Sequence, residues 1–297
     1  MYPSPFHYYR AQSLPEASSL LAQLGEEARV LAGGQSLLPL MKLRLAAPAH
    51  LVDLNFVPGL ANIQRQNGSV RFGALVRHAE IEESEIAQQV PILHDCAAGI
   101  ADQQVRNRGT LGGSLAEADP SGDWGPVLLT LETTVHSVGP AGERAIPLGE
   151  FFVDAFTSSL KPAELVREIE VRVPSRASGG AYLAFKRAAP VYATASAAAQ
   201  ITLEGGACRE ARIVLGCVGL TAIRCAEAER ALQGRPLTPQ AIAAAAEAAR
   251  AAAEPQSDSR GSSGYKRDLV AALVGRAIAA AAQRARGERV EVSHIYA

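Results

Sequence analysis

Two glycine pairs hold the residues best suited to chemistry. One lies in Ala32-Gly33-Gly34-Gln35-Ser36, the other in Thr110-Leu111-Gly112-Gly113-Ser114. Each is expected to follow an extended segment and open a helix or tight turn, where bare backbone N–H groups can point at a phosphate. One pair alone is more simply an ordinary turn. Two pairs, with Ser36, Thr110 and Ser114 beside them, favour a cradle that grips a dinucleotide pyrophosphate from both sides. Neither fits G-x-G-x-x-G, and neither has the Lys-Ser/Thr of a P-loop. Asp119 and Asp123 follow the second pair closely. A carboxylate there repels phosphate but accepts hydrogen bonds from sugar or ribityl hydroxyls; Asp119, before Pro120, equally suits an Asx turn. Arg106 and Arg108 could clamp a phosphate, but anchoring loops or holding an acidic surface is the favoured reading.

Other chemistries find little support. Cys96, Cys208, Cys217 and Cys225 form no C-x-x-C pair, so no iron–sulfur or zinc site is expected in this chain, and mostly buried, reduced thiols are. His78 and His94 read as structural. There is no G-x-S-x-G, no H-E-x-x-H and no Cys–His pairing signal, so any catalysis would rest on a cofactor. With 297 residues, 48% hydrophobic and 20% charged, the chain should form a globular protein of two or three domains. A net charge of −1 argues against nucleic acid or an acidic membrane as the main partner. The N-terminus has no signal-peptide pattern, and no apolar run spans a bilayer. The expected location is the cytoplasm, with attachment at the inner membrane face left open.

The elements that must position these residues can be read coarsely. Residues 1–55 read as an α/β unit. A helix capped by Ser13 and Glu16 ends at Gly25, a buried strand Arg29-Val30-Leu31 delivers the first glycine pair, and Ser36 caps a helix through Leu43. Residues 56–175 read as α+β, with hairpins at Asn67-Gly68 and near Gly139–Gly142, a helix near Val90–Ala101, another at Trp124–Leu131, and a strand at Leu165–Val173. Small polar residues from Ser175 to Gly180 suggest a boundary. Residues 176–290 should hold three strands, Ala181–Lys186, Ala195–Leu203 and Ala211–Val218. Ala-rich helices follow at Cys225–Leu232, from Thr238 to Ala253 and, after Gly264, from Tyr265 to Arg286. Residues 291–297 read as a tail.

Several long segments resemble the FAD-binding medium subunit of the molybdenum hydroxylases, of the aerobic carbon monoxide dehydrogenase type. They are Leu31-Ala32-Gly33-Gly34-Gln35-Ser36-Leu37-Leu38-Pro39-Leu40-Met41-Lys42, then His50-Leu51-Val52-Asp53-Leu54-Asn55, then Gln104-Val105-Arg106-Asn107-Arg108-Gly109-Thr110-Leu111-Gly112-Gly113-Ser114. Ala118-Asp119-Pro120 and Asp123 follow in register. The likeness runs from about Phe6 to Arg286. It implies an α+β protein with a PCMH-type FAD fold, in which two N-terminal subdomains enclose FAD and a C-terminal antiparallel-sheet and helix domain closes over it. By the same resemblance, Ala32, Gly33, Gly34, Gln35, Ser36 and Leu37, with Thr110, Leu111, Gly112, Gly113 and Ser114, would bind the pyrophosphate region. Asp119 and Asp123 would lie toward the polyol, Val166 and Lys186 would flank the isoalloxazine, and Tyr192 would pack beside the ring. Two departures are Pro190-Val191, where the family usually has a polar pair, and Trp124-Gly125; both could alter flavin exposure.

The resemblance further implies a large partner with the molybdenum cofactor and a small partner with two [2Fe–2S] clusters, assembled as a dimer of heterotrimers. This chain would pass electrons from the clusters to an external acceptor that the sequence does not name. Two rivals are a stand-alone flavin oxidase of the vanillyl-alcohol-oxidase superfamily and a non-catalytic nucleotide-binding scaffold. A flavin-linking His would favour the first, and neither glycine loop contains one.

Overall fold

The structure, a computed structural model, describes residues 2–188, 190–292 and 295–296. Its first sheet is parallel, with His50–Asp53 between His7–Arg10 and Ala28–Leu31. The helix Leu14–Leu24 starts where Ser13 Oγ accepts from Glu16 N–H at 3.2 Å and ends at Gly25, whose φ of +62° suits glycine. Glu16 reaches back to Gln12 N–H rather than to Ser13, so the expected capping box is shifted by one residue. Ala28–Leu31 is an edge strand and only partly buried, against the expectation of a buried one. Ser36 precedes the helix Leu37–Lys42, but its side chain makes no cap.

The second sheet is antiparallel, in the order Ile63–Gln66, Ser69–Gly73, Leu165–Arg172, Thr133–Gly139, Gly142–Pro147. Asn67 (φ +50°) and Gly68 (φ +79°) both take the left-handed conformation that a two-residue hairpin needs. The helices Pro91–Gly99, Leu111–Glu117 and Trp124–Thr130 share a core with this sheet, centred on Phe72, Leu111, Trp124, Leu128, Val135 and Ile169.

The third sheet has five strands rather than three, because two short edge pairs are invisible to residue alternation. Its order is Ile223–Arg224, Ala207–Gly216, Ala195–Glu204, Ser178–Lys186, Ile295–Tyr296. The last of these lies in the expected tail and pairs in parallel with Phe185 and Lys186. Ser178–Gly180, expected to be linker, is already strand, and Ser178 Oγ lies 2.8 Å from Thr202 Oγ1. The long helix is Ser263–Ala285, capped by Ser262, with Gly264 inside its first turn rather than before it. A Cβ on Gly179 would stand 2.2 Å from Ala281 O, so that glycine lets helix and strand backbones touch. Small alanines on both elements bring them close.

The strand Ser178–Lys186 is covered on both faces, and its parity decides where side chains go. Ala181 and Leu183 join the core under the C-terminal helices, whereas Tyr182 and Ala184 join the core of the second sheet. Lys186 has the parity of Tyr182 and faces the same way.

Candidate functional site

A cleft of about 330 Å³ opens where the two glycine loops meet the end of this strand. A site of that volume is within the range of ligand pockets. The first loop leaves the edge strand Ala28–Leu31 and contributes Ala32, Gly33, Gly34, Gln35, Ser36 and Leu37. Gly34 has φ +74°, a conformation that L side chains rarely adopt. A Cβ on Gly33 would lie 2.3 Å from the Arg108 carbonyl oxygen, so the two loops meet backbone to backbone. Among the described residues, the N–H groups of Gly34, Gln35 and Ser36 donate to no protein acceptor. They are the bare donors a phosphate requires.

The second loop ends in the helix Leu111–Glu117, whose period sorts its residues. Thr110, Gly113, Ser114 and Glu117 line the cleft. Thr110 Oγ1 accepts from Gly113 N–H at 3.2 Å and fixes the first turn. Leu111 and Gly112 fall on the opposite face and do not reach the cleft. Leu111 is fully buried, and a Cβ on Gly112 would stand 2.7 Å from both Cβ and carbonyl O of Ala74. Val166 is likewise away from the cleft, packed in the core of the second sheet.

The floor is polar. Asp119 forms the Asx turn, accepting from Ser121 N–H at 2.8 Å, and it still lines the cleft. Asp123 is buried and accepts the Tyr182 hydroxyl proton at 2.6 Å. Lys186 is 1% exposed; its ammonium donates to Gly99 O at 2.6 Å and stands 3.5 Å from Asp123. Burial, then Asp123, push the Cys96 thiol up, leaving it protonated. At the rim, Tyr192 is half-exposed beneath the Arg260 guanidinium at 5.9 Å. Burial and then the Asp119 charge raise its phenol. Pro190 and Val191 line the same rim, but Trp124 is buried and lies behind the cleft wall, where its indole N–H donates to His78.

Residues beneath the loops carry roles that motif reading did not assign. Asn55 Nδ2 donates to Ala32 O at 2.9 Å, and Arg77 donates to Asn55 Oδ1 at 2.6 Å and to Arg108 O at 2.5 Å. One guanidinium thereby ties both glycine loops together. Arg106 pairs with Glu82 at 2.9 Å and donates to Ile100 O at 3.1 Å, so it anchors a loop and clamps no phosphate. Lys186 is the one cationic side chain among the described residues that line the cleft. A phosphate placed here would meet backbone dipoles rather than cationic side chains, while Glu117, Asp119 and Asp123 offer acceptors to hydroxyls.

His78 also lines the cleft. Its Nδ1 accepts from the Trp124 indole N–H at 3.1 Å, which leaves the proton on Nε2. Burial, then Arg77 and Arg106, lower its pKa from 6.5 to about 4. The unfolded chain therefore binds a proton between pH 6.5 and 4 that the folded chain refuses. Stability should fall across that window by about 3 kcal/mol from this group alone, and be unaffected above it. Denaturant unfolding at stepped pH checks this; His78→Asn, which keeps an acceptor for Trp124 without a titrating ring, should flatten the slope.

Among the described residues no group of His, Cys, Asp or Glu could hold a metal ion, and no helix is long and apolar enough to cross a membrane. Residues 4–175 match the family described as FAD binding domain in molybdopterin dehydrogenase, and residues 180–281 match the CO dehydrogenase flavoprotein C-terminal domain. The 6-hydroxypseudooxynicotine dehydrogenase complex subunit alpha of Paenarthrobacter nicotinovorans is 44% identical over 99% of this chain and 100% of its own. The carbon monoxide dehydrogenase medium chain of Hydrogenophaga pseudoflava is 39% identical over 95% of this chain and 98% of its own. A solved carbon monoxide dehydrogenase structure from that organism superposes with a TM-score of 0.93 at 41% identity, covering 96% of this chain and 99% of that one. Quinoline 2-oxidoreductase from Pseudomonas putida 86 gives 0.91 at 37% identity, with 96% and 99% covered.

Proposed function

From the premise that this chain belongs to the FAD-binding family of molybdopterin dehydrogenases, we propose that the cleft between the glycine loops is where it holds FAD. The chain is the FAD subunit of a molybdenum hydroxylase complex, with the molybdenum cofactor and [2Fe–2S] clusters in partner chains. These matches do not favour the stand-alone oxidase. The observation that carries the site assignment is the backbone contact of the two loops. It leaves the unpartnered N–H groups of Gly34, Gln35 and Ser36 facing a gap bordered by Gly113 and Ser114.

When bound, FAD supplies the exchange between one-electron and two-electron chemistry. The protein's own residues bind and orient. The two loops would grip the pyrophosphate through backbone N–H groups, and Ser114 and Asp123 would order the polyol. Lys186 would present its fixed positive charge at the ring end of the cleft, with its orientation held by Gly99 O. Asp119, Pro190, Val191 and Tyr192 would shape the rim and limit water. Relatives of 35–44% identity are named for substrates as different as carbon monoxide, nicotine derivatives, glyceraldehyde and caffeine. Substrate choice is therefore assigned to the large partner, the assembly to a dimer of heterotrimers, and this chain to electron delivery to an external acceptor.

A rebinding titration tests the site. The purified complex is stripped of flavin and titrated with FAD, FMN and riboflavin. Because the grip is on the pyrophosphate, FAD should bind at least about 100-fold tighter than riboflavin, a difference near 2.7 kcal/mol. Equal affinities would sink the two-loop assignment.

A further inference from the structure

Past Tyr192, none of the described residues lines the cleft, although the C-terminal domain runs on to residue 281. One side chain of that later stretch nonetheless reaches two of the cleft's walls. Arg260 Nη1 donates to Ala193 O at 3.2 Å, one residue beyond Tyr192 in the rim. The same nitrogen donates to Ser121 Oγ at 3.3 Å, in the floor loop between Asp119 and Asp123. The guanidinium also stands 5.9 Å from the centre of the Tyr192 ring. Rim and floor are far apart in sequence, and this cation bridges them.

The loop that carries Arg260 is held in place by contacts of its own. Residues 256–259 are exposed, whereas Arg260 is half-buried. Asp258 and Gly261 each donate a backbone N–H to the other's carbonyl at 3.1 Å, and Asp258 Oδ1 accepts from Arg260 N–H at 2.8 Å. Two further cations fix the turn. Lys266, buried in the first turn of the helix Ser263–Ala285, lies 2.8 Å from Asp258 Oδ2 and donates to Gln256 O at 2.9 Å. Arg187, just past the strand Ser178–Lys186, donates to Ser259 O at 2.9 Å. Exposed loops are ordinarily mobile. This one has given up its backbone freedom before any ligand arrives.

Resting on the proposal that the cleft holds FAD, we infer that Arg260 is the positioning residue of the ring end. It fixes the rim at Tyr192 against the floor loop and so sets how tightly the ring is held. A guanidinium suits that task, because its planar fork donates to several acceptors and lies over an aromatic ring at once. A rim fixed beforehand need not be ordered when the ligand binds, and ordering on binding weakens affinity. The pyrophosphate is gripped by the glycine loops, so the effect of Arg260 should fall on the ring.

The test compares FAD with ADP, which carries the adenosine and pyrophosphate but no ring, on the purified complex stripped of flavin. Arg260→Ala should weaken FAD by about tenfold and leave ADP within about twofold of wild type. FAD release should quicken by a similar factor. Arg260→Lys keeps the charge and a donor, and should fall between the two. Tyr192→Ala should also weaken FAD, and Arg260→Ala added to it should have a smaller effect than it has alone, because both act on one wall. A general loosening of the fold would weaken both ligands alike. Equal losses for FAD and ADP, wild-type FAD affinity in Arg260→Ala, or full additivity with Tyr192→Ala would overturn the proposal. Wild-type protein that binds neither ligand, or that binds riboflavin as tightly as FAD, would overturn the cleft reading itself, and this role with it.

Discussion

Gly113→Val should cost the protein its FAD while leaving most of the fold in place. A Cβ at this position would sit 2.6 Å from Thr110 Oγ1, the atom that caps the helix and receives the Gly113 N–H. The added side chain would project into the cleft and remove the cap at once. Loss of the cap costs about 1 kcal/mol of stability, which a chain of this size tolerates. Loss of the close backbone approach should cost the ligand at least about 3 kcal/mol, roughly a hundredfold or more in affinity. Gly34→Val should act similarly by another route, because a β-branched residue cannot hold φ +74° without strain. Flavin content after gel filtration, with circular dichroism as the fold control, measures both. Stoichiometric FAD in both variants would refute the cradle.

Lys186→Met should destabilise the protein by about 3–5 kcal/mol, with or without cofactor. Lys186 and Asp123 are both buried, and Asp123 also accepts from the Tyr182 hydroxyl. Removing the ammonium strands a carboxylate in low dielectric and leaves Gly99 O without its donor. Lys186→Met/Asp123→Asn removes both charges and should recover part of the loss, giving a coupling energy above about 1 kcal/mol. Denaturant unfolding of the four proteins completes the cycle. Additive effects would mean that the 3.5 Å approach contributes nothing.

The sequence carried the site's skeleton further than its details. Both glycine loops were recognisable, because glycine pairs after short apolar runs have few other uses. Which glycine does what was hidden. Gly33 and Gly112 are small because the Arg108 and Ala74 backbones lie against them, contacts across distant parts of the chain that no local pattern reports. Helix period could have separated Gly113 and Ser114 from Leu111 and Gly112, since positions 110, 113, 114 and 117 share one face. Strand parity could likewise have paired Lys186 with Tyr182. Val166 carried no such signal, and its placement rests on how the strand Leu165–Arg172 packs. Asn55 was in view as a motif residue without a role, while Arg77 and His78 were missed as cleft-builders. Each acts through a partner more than twenty residues away. The two edge strands were too short to alternate visibly.

The most direct test of the account is the absorption spectrum of the natively purified protein, followed by identification of the chains that accompany it. The account predicts flavin bands together with iron–sulfur absorbance, and two further chains that carry the clusters and the molybdenum. Flavin alone, reducible by a small substrate with no partner chain present, would contradict it and point to a self-sufficient flavin oxidase.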